Sequence, residues 1–186
     1  MKMWARKQKG FTIVELLIVI VVIAILAAIS IVAYNGIQDR AKNNATIQAA
    51  NQLQKLVSAY VTGTNQLPAP LGTYCLTKDN LCTDSGGSAV TADNSSLITT
   101  LSAYGSVPNS VPYPTGIRSS YASGRKVEGV LNPYFIIYWI KGTNSSCGLQ
   151  ALTGSGTAWT NSGTGYTSSS DGMTYCITAT RDPSSL

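Results

Sequence analysis

Residues 9–33 of this chain read KGFTIVELLIVIVVIAILAAISIVA. After the lysine and glycine at its start, this stretch is apolar except for Thr12, Glu15 and Ser30. A helix over residues 11–33 would be about 35 Å long at about 1.5 Å per residue, which is enough to cross a bilayer. The sequence therefore predicts a membrane-spanning helix here.

Glu15 is the unusual residue of the segment. A carboxylate inside a membrane helix costs about 3 kcal/mol on insertion scales, so it is normally paired or functional. The segment offers no partner for it. A cut after Gly10 would create an amine on Phe11, but pairing within one chain is awkward because the two groups are about one turn apart. A neighbouring chain shifted along the helix axis can bring the two groups together. The pattern thus favours side-by-side assembly with a defined stagger.

Residues 9–20 resemble the class III signal of type IV pilins and pseudopilins. The resemblance covers roughly the first sixty residues. It implies that a prepilin peptidase cleaves after Gly10 and methylates Phe11, and that Glu15 acts in subunit docking. It further implies an inner-membrane assembly platform as a partner.

The resemblance implies a structural pilin that is held in the cytoplasmic membrane as a single-pass precursor. The chain is then expected to assemble, through its hydrophobic helix, into a helical homo-oligomeric surface filament that serves adhesion, twitching motility or DNA uptake. One alternative is a pseudopilin of a type II secretion or competence machine. A monomeric membrane-anchored extracellular binding domain is another, and so is an ordinary signal peptide cut near Ser30.

Four segments and an α+β fold are predicted. They are a cleaved leader at residues 1–10, a hydrophobic helix at 11–33, an amphipathic continuation at 34–63 and a globular head at 64–186. Because Ala24 and Val32 stand where many relatives have glycine and proline, we expect a more continuous helix. Its predicted apolar stripe packs on an antiparallel sheet and comprises Ile37, Ala41, Ala45, Ala49, Leu53, Leu56, Val57, Tyr60 and Val61. Gly63 and the proline-containing stretch 67–70 are expected to end the helix.

The head reads as one short helix followed by strands. Leu97, Ile98, Leu101 and Tyr104 follow a helical spacing after residues 93–95. The predicted strands are 117–123, 126–131, 134–140, 148–152 and 173–180, and the aromatic and β-branched run 134–140 is the expected central strand. Short loops at 123–125 and 142–144 predict antiparallel hairpins. Residues 153–172, rich in Gly, Ser and Thr, are predicted to form an exposed loop.

Four cysteines, Cys75, Cys82, Cys147 and Cys176, lie beyond the membrane segment, where a translocated domain meets an oxidising environment. Disulfides are therefore expected, and three connectivities are open. Pairing Cys75 with Cys82 and Cys147 with Cys176 gives the shortest loops. The resemblance points to the same arrangement, because a late disulfide closes a C-terminal loop in pilins.

Composition argues against an enzyme. The chain has no histidine, no Gly-x-Ser-x-Gly elbow and no phosphate-binding glycine loop, so we expect no catalytic residue and no cofactor. No metal site is predicted, because the cysteine spacing does not suit zinc and the aspartates lack the spacing of a calcium loop. Of 13 basic residues four lie in the leader, which leaves nine against eight acidic ones. No specific nucleic-acid partner is therefore predicted.

Overall fold

The computed structural model describes residues 10–68, 72–84, 87–121, 126–127, 130–131, 134–143, 145–148, 152–155, 158–161, 166–168 and 172–180. The first helix, α1, comprises Ile13–Thr64 and is followed by a short helix α2, Ser95–Ser102. The strands are β1 Ile117–Tyr121, β2 Lys126–Val127, β3 Val130–Leu131, β4 Tyr134–Lys141, β5 Leu152–Ser155, β6 Ala158–Asn161, β7 Tyr166–Ser168 and β8 Met173–Thr180. The chain divides into two units, Met1–Arg40 and Ala41–Leu186.

In the first unit, α1 is helical at every residue from Ile13 onwards, as the absence of glycine and proline from residues 11–33 predicts. Glycine occurs at position 36, and the helix continues through it.

The C-terminal end of α1 lies in the second unit, and Asn65 closes the helix there instead of Gly63. Asn65 adopts a left-handed φ of 53°, and its N–H donates to the Val61 carbonyl at 2.8 Å. This is the usual way to satisfy a carbonyl of the last helical turn.

The second unit is built on a four-stranded antiparallel sheet with strand order β1-β4-β8-β7. β4 is a central strand, as predicted, and all of its residues except Lys141 are buried. Alternate side chains of a strand point to opposite faces, so a run that is apolar throughout fits a strand covered on both sides. The fold is therefore α+β, with a long N-terminal helix packed on an antiparallel sheet.

The core on the helix side of the sheet joins α1 to β1, β4 and β8. It contains Ala50, Leu53, Leu56, Val57, Val61, Leu76, Leu97, Leu101, Val107, Ile117, Tyr134, Ile136, Tyr138, Ile140, Cys147 and Cys176. A second buried cluster, made of Val127, Phe135, Ile137, Trp139 and Ile177, lies on the other face. Each face of β4 therefore contributes to a separate apolar cluster.

The predicted helix stripe is wrong in its first part. Ile37 is 65% exposed, and Ala41 and Ala45 are exposed as well, whereas Thr46 and Ala50 are buried. Alanine occurs both on the exposed side of this part of α1, at positions 41 and 45, and on its buried side, at position 50. The sequence pattern therefore did not distinguish the buried side from the exposed one. Thr46 can be buried because its hydroxyl donates to the Lys42 carbonyl at 3.0 Å.

The predicted loop at 153–172 is also wrong, since residues 153–155, β6 and β7 are strands. β7 pairs with β8, while β5 and β6 belong to a second sheet of order β3-β2-β6-β5. Main-chain groups can pair in a strand whatever the side chains, so a Gly- and Ser-rich composition concealed these strands. Threonine and aromatic residues within them were the signal that favoured strand.

The strand predicted at 126–131 is two strands, β2 and β3, which pair antiparallel across residues 128–129. Gly129 in this two-residue connection was the sequence signal for a hairpin. Among the described strands, β1 pairs with β4 and β4 pairs with β8, so the pairings expected of the two hairpins are not seen there. Of the strand predicted at 148–152, Gly148 is outside any strand, residues 149–151 lie outside the described residues, and Leu152 opens β5. Residues 122–123 of the first predicted strand are likewise not described.

Candidate assembly site

The start of α1 carries the residues that the sequence singled out. Gly10 and Phe11 are exposed and precede the first helical residue, and Phe11 is 84% exposed. Because neither residue is in the helix and both are exposed, the peptide bond between them is in an accessible part of the chain. Residues 1–9 of the predicted leader lie outside the described residues.

Glu15 has a partner within its own segment, contrary to the expectation from sequence. The Thr12 backbone N–H donates to Glu15 Oε2 at 2.9 Å, and the Thr12 hydroxyl donates to the same oxygen at 2.7 Å. In return, the Glu15 N–H donates to Thr12 Oγ1 at 3.2 Å. With Thr12 immediately before the first helical residue, this is a capping box, in which threonine and glutamate satisfy each other's free N–H groups.

The capping box gives Glu15 a local structural role in addition to any role in docking. Thr12 followed three residues later by Glu15, just before an apolar run, is the sequence signature of a capping box, so sequence reasoning missed a signal that was present. The carboxylate remains exposed at the helix N-terminus. Its negative charge is favourable there, because the helix dipole places partial positive charge at that end.

The apolar surface of α1 that follows is uncovered. Every large apolar side chain from position 11 to position 32 is between 47% and 86% exposed. Among the described residues, α1 is the helix that is long and apolar enough to cross a membrane, by length and composition. The polar side chain at Ser30 is internally satisfied, since its hydroxyl donates to the Leu26 carbonyl at 2.8 Å. The segment therefore presents an apolar surface that lipid or other apolar helices can cover.

The four cysteines form two disulfides in the second unit. Cys75 bonds to Cys82, with 5.5 Å between their Cα atoms, and Cys147 bonds to Cys176, with 5.6 Å. Cys176 lies in β8, and Cys147 lies in the segment that follows β4. The Cys147–Cys176 disulfide therefore ties that segment to the sheet. The buried Tyr138 hydroxyl donates to the Cys147 carbonyl, and this burial raises the pKa of the Tyr138 phenol.

The Cys75–Cys82 disulfide lies beside the segment that pairs with the free edge of β1. Leu76 N–H donates to the Ile117 carbonyl at 2.8 Å, and Ser119 N–H donates to the Tyr74 carbonyl at 2.7 Å. The edge groups of β1 are thereby paired, which removes a surface for unwanted strand addition.

Asn43 of α1 is a further positioning residue that the sequence did not reveal. Its side-chain amide donates to the Lys141 carbonyl and accepts from the Lys141 N–H, both at 2.8 Å. The Tyr113 hydroxyl donates to the same Asn43 oxygen at 2.7 Å. A lone asparagine on a helix carries no pattern that predicts such contacts.

In the part of the chain that the structure describes, no group of three or more His, Cys, Asp or Glu residues could hold a metal ion. Arg118 is 5% exposed, and its guanidinium lies over the Trp139 ring, with the Cζ atom 5.4 Å from the ring centroid. Burial lowers the pKa of this guanidinium. The guanidinium also donates to the Tyr175 hydroxyl at 3.4 Å.

Known proteins are similar to a limited part of this chain, which includes its N-terminal region. The family model described as the prokaryotic N-terminal methylation motif matches residues 5–31. A fimbrial protein of Neisseria meningitidis serogroup A is 37% identical over 62 residues, which are 33% of this chain and 36% of that protein. Fimbrial protein EcpC of Eikenella corrodens is 40% identical over 62 residues, 33% of this chain and 40% of that protein.

The motif and the fimbrial relatives support a type IV pilin family for this chain. The apolar helix, the α+β fold and the two disulfides agree with a pilin. The chain spans between about a third and two fifths of the length of the curated relatives it matches. No solved structure matches it significantly. The similarity to known pilins therefore concerns the region that includes the methylation motif.

Proposed function

We propose that this chain is the structural subunit of a type IV pilus, matured by cleavage after Gly10 and methylation of Phe11. The observation that carries the proposal is the start of α1. An accessible Gly10-Phe11 bond is followed at once by a capped glutamate and then by an apolar helical surface whose large side chains from position 11 to position 32 are 47% to 86% exposed. Such a surface needs lipid or other apolar helices around it.

In this proposal, residues 1–10 are a leader that a prepilin peptidase removes, and residues 11–33 hold the precursor in the cytoplasmic membrane. Residues 34–63 continue the helix, and residues 64–186 form the exposed head. An assembly platform in the inner membrane transfers the subunit into a helical filament of identical chains. The apolar surface is already shielded by lipid, so helix packing and the Glu15 charge decide the register between subunits.

The proposed docking step pairs the Glu15 carboxylate of one subunit with the methylated Phe11 amine of its neighbour. The capping box supports this step, because Thr12 holds the carboxylate at the exposed N-terminal end of α1. An ion pair in apolar surroundings is strongly favoured over an unpaired carboxylate. The proposed roles of the filament are adhesion, twitching motility or DNA uptake. A pseudopilin of a secretion or competence machine would use the same N-terminal residues.

Four variants separate docking from helix capping. Glu15→Ala removes both the charge and the cap, whereas Glu15→Gln removes the charge but keeps an oxygen able to accept from Thr12. Thr12→Ala removes the hydroxyl but keeps the charge, and Thr12→Ser is its conservative control. We expect both Glu15 variants to insert into the membrane normally and to give several-fold less sheared filament than wild type. Thr12→Ala should yield more filament than Glu15→Gln. Wild-type filament levels from Glu15→Gln would overturn the docking role.

A further inference from the structure

The capping box at the start of α1 sets which peptide bonds lie outside the helix. The Leu16 N–H donates to the Thr12 carbonyl at 3.3 Å, so Thr12 is the N-cap residue, whose carbonyl accepts the first helical hydrogen bond. Gly10, Phe11 and Thr12 are not helical, and α1 begins at Ile13. The proposed cleavage bond therefore ends one residue before the cap.

The Glu15 N–H is the group that would carry the helix further towards the leader. If α1 began one residue earlier, this N–H would donate to the Phe11 carbonyl. One more helical residue would engage the Gly10 carbonyl with the Val14 N–H. In the structure the Glu15 N–H donates to Thr12 Oγ1 at 3.2 Å instead. The Thr12 hydroxyl is held there because it donates to Glu15 Oε2 at 2.7 Å. The threonine side chain thus takes the donor that an upstream helix needs.

The sequence before Gly10 favours helix by composition. Residues 5–9 are Ala-Arg-Lys-Gln-Lys, and all of these are strong helix formers. Glycine weakens a helix without forbidding it, and α1 itself continues through Gly36. Gly10 alone is therefore not a sufficient stop, and the Thr12 cap supplies a second one.

The chemistry of cleavage explains why this stop matters. Hydrolysis adds the oxygen of a water molecule to the Gly10 carbonyl carbon, and the bond to the Phe11 nitrogen breaks as that nitrogen takes up a proton. When a bond must first unwind, its cleavage follows the population of the unwound form. We propose that Thr12 is a positioning residue for maturation, whose hydroxyl caps α1 and keeps the Gly10-Phe11 bond outside the helix for the peptidase. This inference rests on the proposed function.

The test uses the full-length precursor in detergent micelles with purified prepilin peptidase, and it follows the release of residues 1–10 by mass. Thr12→Val keeps the size of the side chain but removes the hydroxyl, whereas Thr12→Ser keeps the hydroxyl. We expect Thr12→Val to lower kcat/KM about fivefold, which is the usual effect of losing an N-cap on helix equilibria. Thr12→Ser should be cleaved like wild type.

Proline at position 13 separates helix capping from direct contact with the peptidase. Proline is well tolerated at the first helical position. It also prevents the helix from continuing upstream, because it lacks an N–H and its ring clashes with the carbonyl four residues before it. Thr12→Val combined with Ile13→Pro should therefore regain the wild-type kcat/KM, and Ile13→Pro alone should leave it unchanged.

The inference fails if Thr12→Val is cleaved at the wild-type rate. It also fails if the double variant stays slow while Ile13→Pro alone is cleaved normally, because the hydroxyl would then act on the peptidase itself. The Cα chemical shifts of Gly10 and Phe11 are a second readout, and we expect them to become helical in Thr12→Val. Non-helical shifts in that variant would overturn the inference even where proline itself slows cleavage. An uncleaved wild-type chain would instead contradict the proposed function.

Discussion

The side chain of Asn43 pairs with the backbone of Lys141 as a neighbouring strand would, with one hydrogen bond given and one received, each at 2.8 Å. Asn43 is on α1 and Lys141 is the last residue of β4. The pair therefore joins helix and sheet at one end of the second unit. Tyr113 reinforces it through the same Asn43 oxygen.

Asn43→Ala is expected to lower the free energy of unfolding by about 0.5–1.5 kcal/mol, because it removes the side chain that accepts from the Lys141 N–H and donates to the Lys141 carbonyl. The carbonyl also accepts from the Ser145 hydroxyl at 3.3 Å, so it keeps one donor. Asn44→Ala, at the exposed neighbouring position, is the matched control and should change stability by less than about 0.5 kcal/mol. Denaturant titration of both variants measures the difference. Equal stability of the two would contradict the role assigned to Asn43.

The two disulfides are expected to contribute unequally. Cys147 and Cys176 are 29 residues apart, and Cys75 and Cys82 are 7 apart. In the chain-entropy model the longer loop stabilises by about 3.5 kcal/mol and the shorter by about 2.5 kcal/mol. Replacing each pair by alanine and comparing the urea midpoints tests this order. A larger loss from the Cys75–Cys82 pair would show that the order is not set by loop length.

Alkaline unfolding should depend on Tyr138. Burial raises the pKa of this phenol in the folded chain above its unfolded value of about 10. As pH rises above about 10, Tyr138 therefore loses its phenol proton in the unfolded chain before it does so in the folded chain. The stability that the neutral Tyr138 phenol contributes is complete below pH about 10 and is lost as the pH rises further. Tyr138→Phe should weaken the loss of stability above pH 10, measured by denaturant titration across alkaline pH. The exposed Tyr104→Phe serves as control, and an unchanged alkaline slope in Tyr138→Phe would count against the mechanism.

Gly116 is expected to be irreplaceable for two separate reasons. Its φ is 61°, and an added Cβ would be 2.2 Å from the Leu81 carbonyl oxygen. Gly172 has the same φ of 61°, but no atom of the described residues lies within 4 Å of an added Cβ. Gly172→Ala should therefore cost about 1–2 kcal/mol for backbone strain alone. Gly116→Ala should cost clearly more, as measured by thermal unfolding, and similar losses would show that the loop adjusts to the clash.

The sequence predicted the parts of this fold that depend on local pattern. The apolar run of α1, the short helix α2 and the central strand β4 are examples, because composition and periodicity there match a single structure. Local sequence pattern did not predict which strands pair with each other. β4 takes its partners from β1 and β8, and a short loop next to a strand does not show which distant strand will lie beside it.

The candidate assembly site was only partly readable. Gly10, Phe11 and Glu15 stand out by their position beside an apolar run, whereas the Thr12 contact depends on a capping signature that went unused. Asn43 could not be found from sequence, because its partner is 98 residues away in the chain. Contacts between distant segments depend on the folded arrangement, and no local pattern encodes them.

The central claim is maturation between Gly10 and Phe11, and the mass of the N-terminal peptide of the mature protein tests it most directly. The protein would be taken from membranes and from sheared surface material of the cells that make it. The account predicts a chain that begins at Phe11 and carries one added methyl group. An intact Met1 terminus, or a chain that begins at Ile31, would contradict it and would favour a tethered or secreted binding domain.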